Sequence, residues 1–279
     1  MPDRPSPHEP IPQPPAPDGS AAPQPQESAP GSGSMPQTAA QLADETLPRA
    51  ELRRLMGRLV SQTAEHARRA GWQQRPRVIM GAVTEVLAEV AGRLRLRDVN
   101  TLRAHHPGVS DDELASRLIR TAARATAAIG GAGGGIAAVE WAAPPTLLTA
   151  PVLLTAETIA VAAVELKLIG ELHEVYGTPV RGPAVQRATA LLTAWAQRRG
   201  VNPLSGARGM GSVLSTAARR ELQDRLLRRF GRNLTTLAPL LVGAAVGAEL
   251  NRRATRSVGN AVRDDLRSKA LLKIQAQRS

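Results

Sequence analysis

The chain contains no cysteine, which excludes disulfides and thiolate metal sites and leaves the redox compartment open. Aromatic side chains are almost as scarce, being Trp72, Trp141, Tyr176, Trp195 and Phe230 alone. That shortage removes the stacking platforms on which single-stranded nucleic acids are held. Lysine occurs only at Lys167, Lys269 and Lys273, so the 36 basic residues less these three leave 33 arginines. Uninterrupted apolar runs are also short. The charge-free segments 125–139, 141–156 and 233–248 hold 15, 16 and 16 residues, whereas a spanning helix needs roughly 20. Each also contains Gly, Pro or Thr, so the runs read as buried core helices, with re-entrant or interfacial segments as the alternative.

What the chain does have is Ala, Leu and Val in quantity, within an apolar fraction of 42%. Small and unbranched residues favour helices, and β-branched and aromatic ones favour strands. The fold class read from this balance is all-α, a multi-helix globular bundle packed through small Gly and Ala residues. Its formal net charge is +12. A GC-rich codon usage accounts for arginine, alanine and proline together, and attraction to anionic lipid or nucleic acid accounts for the charge alone.

Residues 1–45 are rich in Pro, Ser and Gln and hold few large apolar side chains. Such a segment cannot offset its ordering entropy by burial, so it is read as a disordered tail, with a helical domain over 46–279. Its P-x-x-P spacings follow from composition and read as linker. No basic-then-apolar signal pattern opens the chain, and the expected location is cytoplasmic. Helical spacing begins with Leu52, Leu55, Met56, Leu59 and Val60 and resumes at Ile79, Val83, Val86, Leu87, Val90 and Leu94. A turn is expected at Gly71 to Pro76. Ser110-Asp111-Asp112-Glu113 forms a capping box ahead of Leu114, Leu118 and Ile119. Gly182-Pro183 opens a helix with Leu191, Leu192 and Trp195. A Gly-rich connector from Asn202 to Gly211 then leads to a helix from Val213 to Phe230.

Gly130/Gly134, Gly131/Gly135 and Gly243/Gly247 each fit G-x-x-x-G, the spacing that lets two helix backbones approach closely. These seams are expected to join the two Gly-rich segments to each other. Gly133, Gly135 and Ala138 formally satisfy a dinucleotide fingerprint, but a helix rather than a strand precedes them, so no cofactor is expected. There is no G-x-x-x-x-G-K-[ST] or G-x-S-x-G sequence, and the five histidines make no H-E-x-x-H. No metal ligands or catalytic residues are therefore assigned.

The most informative stretch is an apolar helix interrupted by Glu157, Glu165, Lys167, Glu171 and Glu174. Glu157 and Glu165 fall on one face, and Lys167 with Glu171 makes an i,i+4 pair. Such carboxylates form a solvated stripe, pair with buried arginine, or act as an acid–base pair of raised pKa. Arg252, Arg253 and Arg256 follow an apolar Gly/Ala helix, and Arg263 and Arg267 come after them. Apolar insertion beside basic charge is the two-signal arrangement that holds a protein on anionic lipid; a solvated terminal helix is the alternative. Sequence-specific nucleic-acid binding is not expected, since zinc-ligand spacing and a helix-turn-helix are missing.

Ile169-Gly170-Glu171-Leu172-His173-Glu174-Val175-Tyr176-Gly177 closes the acidic helix. Much later come Pro239-x-x-Val242-Gly243-Ala244-Ala245-Val246-Gly247-Ala248-x-x-Asn251 and Val258-Gly259-x-Ala261. In this order, behind the Gly-rich run, these segments resemble the bacterial EcsC protein family over roughly residues 50–279. The resemblance implies no catalytic set. Glu157 stands where members of that family often carry Asp, which keeps the charge. The family's founding member is encoded beside the ATPase and membrane subunits of an ABC transporter. The function expected is therefore a non-enzymatic accessory protein, peripheral on the inner face of the plasma membrane. Its expected partner is an anionic lipid surface or a membrane transporter. The alternatives are an enzyme or lipid-binding protein using the acidic helix in an apolar cleft, and electrostatic nucleic-acid binding.

Overall fold

A computed structural model describes residues 33–70, 76–140, 149–199 and 240–278. The described part is helical throughout. In chain order the helices are α1 (Met35–Leu42), α2 (Arg49–Ala70), α3 (Pro76–Arg93), α4 (Val99–His105) and α5 (Asp111–Glu140). They are followed by α6 (Thr149–Val175), α7 (Ala184–Arg198) and α8 (Leu240–Arg278). The all-α reading of the composition holds. Residues 1–32 of the Pro-rich tail, 71–75 of the expected turn, the Asn202–Gly211 connector and the Val213–Phe230 helix lie outside the described residues.

The core is built where the 3.6-residue apolar period places it. Leu52, Leu55, Met56 and Leu59 of α2 are buried, as are Val83, Leu87 and Val90 of α3. Leu114, Leu118 and Ile119 line the inner side of α5. Leu191, Leu192 and Trp195 do the same for α7. Ser110 caps α5 by accepting the Glu113 amide at 3.3 Å. The reciprocal half of the capping box is diverted, because the Glu113 carboxylate pairs with Arg117 at 3.0 Å and Arg120 at 3.2 Å.

α6 is the axle of the bundle, touching every other described helix. Ile159 to Leu172 are buried without interruption, so it has no polar face, as a helix at the centre of a core requires. Pro151 is tolerated because it lies in the first turn, where its missing N–H has no intrahelical partner to lose. At the other end Gly177 adopts φ 66°, its amide bonds Glu174 O at 3.2 Å, and the Thr178 amide bonds His173 O at 2.9 Å. This double closure needs a left-handed residue after the helix, which is why Tyr176-Gly177 stops it.

Two helices depart from the sequence expectations. α1 falls within the stretch assigned to the tail, so helical order begins well before Thr46. Composition averaged over its proline-rich neighbours hid it, yet Ala39, Leu42 and Ala43 are buried in the common core. α4 is a short helix that the apolar spacing did not mark. Asp98 starts it by accepting the Thr101 amide at 2.8 Å, and it ends at the His105-His106-Pro107-Gly108 break.

α5 runs straight through Gly130–Gly135 despite the poor helix propensity of glycine. The reason is its contact with α8, the most extensive between any two described helices. A Cβ on Gly130 would lie 2.8 Å from Asn251 Nδ2 and 3.1 Å from the backbone nitrogen of Ala248. The Gly-rich part of α5 does meet α8, and among the described glycines of these two helices Gly130 makes the contact with α8 backbone. Gly131 and Gly247 face open space, and the packing around Gly134, Gly135 and Gly243 lies outside the described residues. Gly130→Ala is expected to cost about 2 kcal/mol in urea denaturation, because α8 backbone cannot retreat as a flexible side chain would. Gly131→Ala, one residue away, should gain about 0.5–1 kcal/mol through helix propensity.

Candidate functional site

The charges of the apolar helix become chemically interesting because α6 is buried all round. A charged group taken from water must find its hydrogen bonds inside the protein. The structure resolves the sequence candidates into three separate clusters along α6.

Glu165 lies at the middle of the helix with no solvent exposure. Its Oε2 accepts Trp195 Nε1 at 2.8 Å and Arg199 Nε at 3.0 Å. Its Oε1 accepts Arg199 Nη2 and, at 2.9 Å, the hydroxyl of Thr255. Thr255 is itself buried, 3.0 Å from the hydroxyl of Thr126 on α5. One carboxylate therefore gathers α5, α7, α8 and the C-terminal cap of α7 onto α6.

Glu171 lies nearly two turns further on and is also fully buried. Arg97, in the connector between α3 and α4, meets it as a planar fork, Nε to Oε1 at 2.7 Å and Nη2 to Oε2 at 2.6 Å. The hydrogen bonds to Glu171 hold the Arg97 guanidinium pKa above its ordinary range against the opposing effect of burial. Lys167 stands 3.9 Å from both Glu171 Oε1 and Glu45 Oε2. Its direct hydrogen bond goes instead to the carbonyl of Ala43 at 3.2 Å. The i,i+4 pair exists, but it is secondary to the fork from Arg97.

Glu157, near the other end, accepts Asn251 Nδ2 at 2.6 Å. Its Oε2 would be 3.3 Å from a Cβ on Gly133, so the glycine run leaves room for this carboxylate between α5 and α8. Glu157 and Glu165 share a helix face but end in different clusters. Glu174 is half-buried in the last turn and joins none of the three among the described residues.

The histidine and tyrosine at the end of α6 belong to a separate polar rim. Burial lowers the His173 pKa, and its Nδ1 lies 3.1 Å from the Thr178 hydroxyl. The Tyr176 hydroxyl donates to Asp112 at 2.7 Å, and burial followed by that carboxylate pushes the phenol up. Among the described residues no three His, Asp or Glu side chains converge as metal ligands would.

The basic candidates of α8 are largely engaged by neighbouring acids. Arg252 and Arg253 pair with Glu249 at 2.5 and 2.7 Å, Arg263 with Asp264 at 3.0 Å, and Arg267 with Asp112 at 3.4 Å. Arg256 has no ion-pair partner among the described residues. The partners that complete the α6 clusters, Arg97, Arg199, Glu45, Asn251 and Thr255, carry no local signature. Each comes from a distant stretch, and only the excess of arginine pointed toward them.

No family model, curated protein or solved structure matches the chain.

Chemically, these carboxylates are occupied. Glu165 accepts four donors over its two oxygens, and each oxygen of Glu171 accepts one arm of a guanidinium fork. They act as interior crosslinks. Arg199→Ala is expected to lower stability by about 3–5 kcal/mol, since it leaves part of a buried carboxylate charge uncompensated. Arg198→Ala removes only a half-exposed pair with Asp265 and should cost less than about 1 kcal/mol. Denaturant titration of the two adjacent variants distinguishes an interior crosslink from a surface pair.

Proposed function

We propose that the protein is a non-enzymatic accessory protein that docks peripherally on the anionic, cytoplasmic face of a membrane. The observation that carries this reading is the far part of α8. Arg267, Ser268, Lys269, Leu271, Leu272, Gln275 and Ala276 are exposed there. Leu271 and Leu272 are 55% and 64% exposed, among the most exposed large apolar side chains in the described structure. Apolar side chains beside basic ones on a projecting helix suit the boundary between anionic headgroups and acyl chains, where each signal is weak and the two together hold.

Three further observations support it. From Leu266 to Ser279 the sequence carries Arg267, Lys269, Lys273 and Arg278 and no acidic residue. Among the described residues no helix is long and apolar enough to cross a membrane, which fits a surface role. The two fully buried carboxylates of α6, Glu165 and Glu171, are held in pairs with arginine, which leaves less support for an acid–base site there. The resemblance to the EcsC family, with a founding member encoded beside transporter subunits, makes a membrane transporter a second docking partner on the same face.

The site on α8 differs from the one read in the sequence. Arg252, Arg253 and Arg263 are balanced by acids on α8 itself, and Arg267 and Lys269 pair with Asp112 and Asp265, so the assignment moves to the later end for its exposed leucines and for the absence of acidic residues beyond Asp265. Co-sedimentation with anionic vesicles is expected, with little binding to neutral ones and release as salt is raised. Replacing both leucines, Leu271→Ser with Leu272→Ser, should weaken vesicle binding at least about tenfold, given roughly 1.5–3 kcal/mol for fully burying each leucine. Equal binding to neutral and anionic vesicles, or no loss in the double variant, would count against the assignment.

A further inference from the structure

α1 and the turn after it lie across α6 as a strap. Ala39, Leu42 and Ala43 are buried where α1 packs against α2, α3 and α6. Eight residues are too few for a helix to persist alone in water, so α1 keeps its form only while docked. Two polar ties hold its C-terminal end, the Ala43 carbonyl to Lys167 Nζ at 3.2 Å and Glu45 Oε2 to Arg97 Nη2 at 3.0 Å.

The seat of Glu45 is poorly furnished for a carboxylate. Its side chain is only 3% exposed, yet Oε1 is buried without a hydrogen-bond partner among the described residues. Arg97 has already committed its fork to Glu171 and lends Glu45 a single contact. Lys167 lies at 3.9 Å, outside hydrogen-bond range. The charged groups that face Glu45 are Lys167 and Glu171 from α6 and Arg97 from the α3–α4 connector, with Asp44 beside it on its own turn. α2 and α3 bring it no ion-pair partner among the described residues. An ionised Glu45 is therefore desolvated for one hydrogen bond, beside a second anion. Glu165, equally deep, has four donors.

We propose that residues 34–47 form a detachable strap, seated on α6 through Glu45, which closes more firmly as the pH falls. Burial raises the Glu45 pKa and Glu171 adds to the rise, while Lys167 and Arg97 oppose it without cancelling it. The sign follows. A carboxyl with a higher pKa docked than free binds its proton more tightly when docked. Docking gains strength as the pH falls through the raised docked value toward the free one. Above the docked value Glu45 is ionised and the strap is held least firmly. Release bares the inner faces of α2, α3 and α6, with the Lys167 ammonium among them, and this apolar groove, whose resident occupant is α1, is held closed least firmly once Glu45 is ionised. This inference is independent of the membrane reading.

Amide hydrogen exchange on the full chain tests it. Protection factors for 35–45, each divided by those of α5 in the same sample, are compared at about pH 8 and about pH 5. In the wild type the ratio should rise on acidification, as linkage to a carboxyl with a higher docked pKa requires. Glu45→Gln mimics the protonated side chain and should hold the high ratio at both pH values. Glu51→Gln, which alters an accessible carboxylate on α2, should keep the wild-type response. A flat or falling wild-type ratio would overturn the proposal, as would a persisting response in Glu45→Gln or a lost one in Glu51→Gln. If Glu45→Gln loosens α5 itself, the wild-type and Glu51→Gln comparisons still decide.

Discussion

The fold depends on the price in hydrogen bonding of placing charge inside an apolar core. α6 is a helix of Ala, Leu, Val and Ile whose position at the centre of the bundle would need no explanation without Glu165, Lys167 and Glu171. Once those groups are buried, neighbouring elements are no longer free to pack in any register. Arg199 must end α7 beside Glu165, Thr255 must face it from α8, and Arg97 must turn inward between α3 and α4. Apolar contact supplies most of the cohesion. The polar contacts select one arrangement from the many that Ala- and Leu-rich helices could otherwise adopt, in which small residues slide past one another with little penalty.

The helix pair α5 and α8 shows the complementary device. Here specificity comes from shape. Gly130 lets the backbone near Ala248 and Asn251 approach, and Gly133 leaves room for the carboxylate of Glu157. With so few aromatic residues, the chain cannot fill interhelical gaps with large flat side chains, and it closes them by bringing backbones together. The glycine run thus belongs to the same scheme as the buried ion pairs, since both convert a generic apolar contact into a defined one.

How much of this was legible in the sequence follows from the range of each signal. The helices with clean periodicity, α2, α3, α5 and α7, were readable because a 3.6-residue pattern is local. So were the Ser110 cap and the Gly177 stop, each set by neighbours within five residues. α1 was not, since its burial depends on α2, α3 and α6, and proline on both sides diluted its few apolar residues. The acidic helix was recognised as unusual, and buried pairing with arginine stood among its readings. Which arginines could not be inferred. Arg97 lies 74 positions from Glu171 and Arg199 lies 34 from Glu165, and nothing near either marks the partnership. The basic residues of α8 were read as a block, whereas the structure pairs Arg252, Arg253 and Arg263 with acids on α8 and Arg267 with Asp112 of α5.

The planar forks at Glu165 and Glu171 bear on the arginine excess of the whole chain. A guanidinium gives two parallel N–H groups at fixed spacing, and an ammonium gives neither that spacing nor that plane. At most surface positions the two cations are interchangeable, so nucleotide composition alone is free to choose between them. At Arg97 and Arg199 it is not. A lineage drifting toward AT-rich codons could trade nearly every other arginine for lysine and would meet resistance at these two, which would then stand out as the residual arginines of an otherwise lysine-bearing protein.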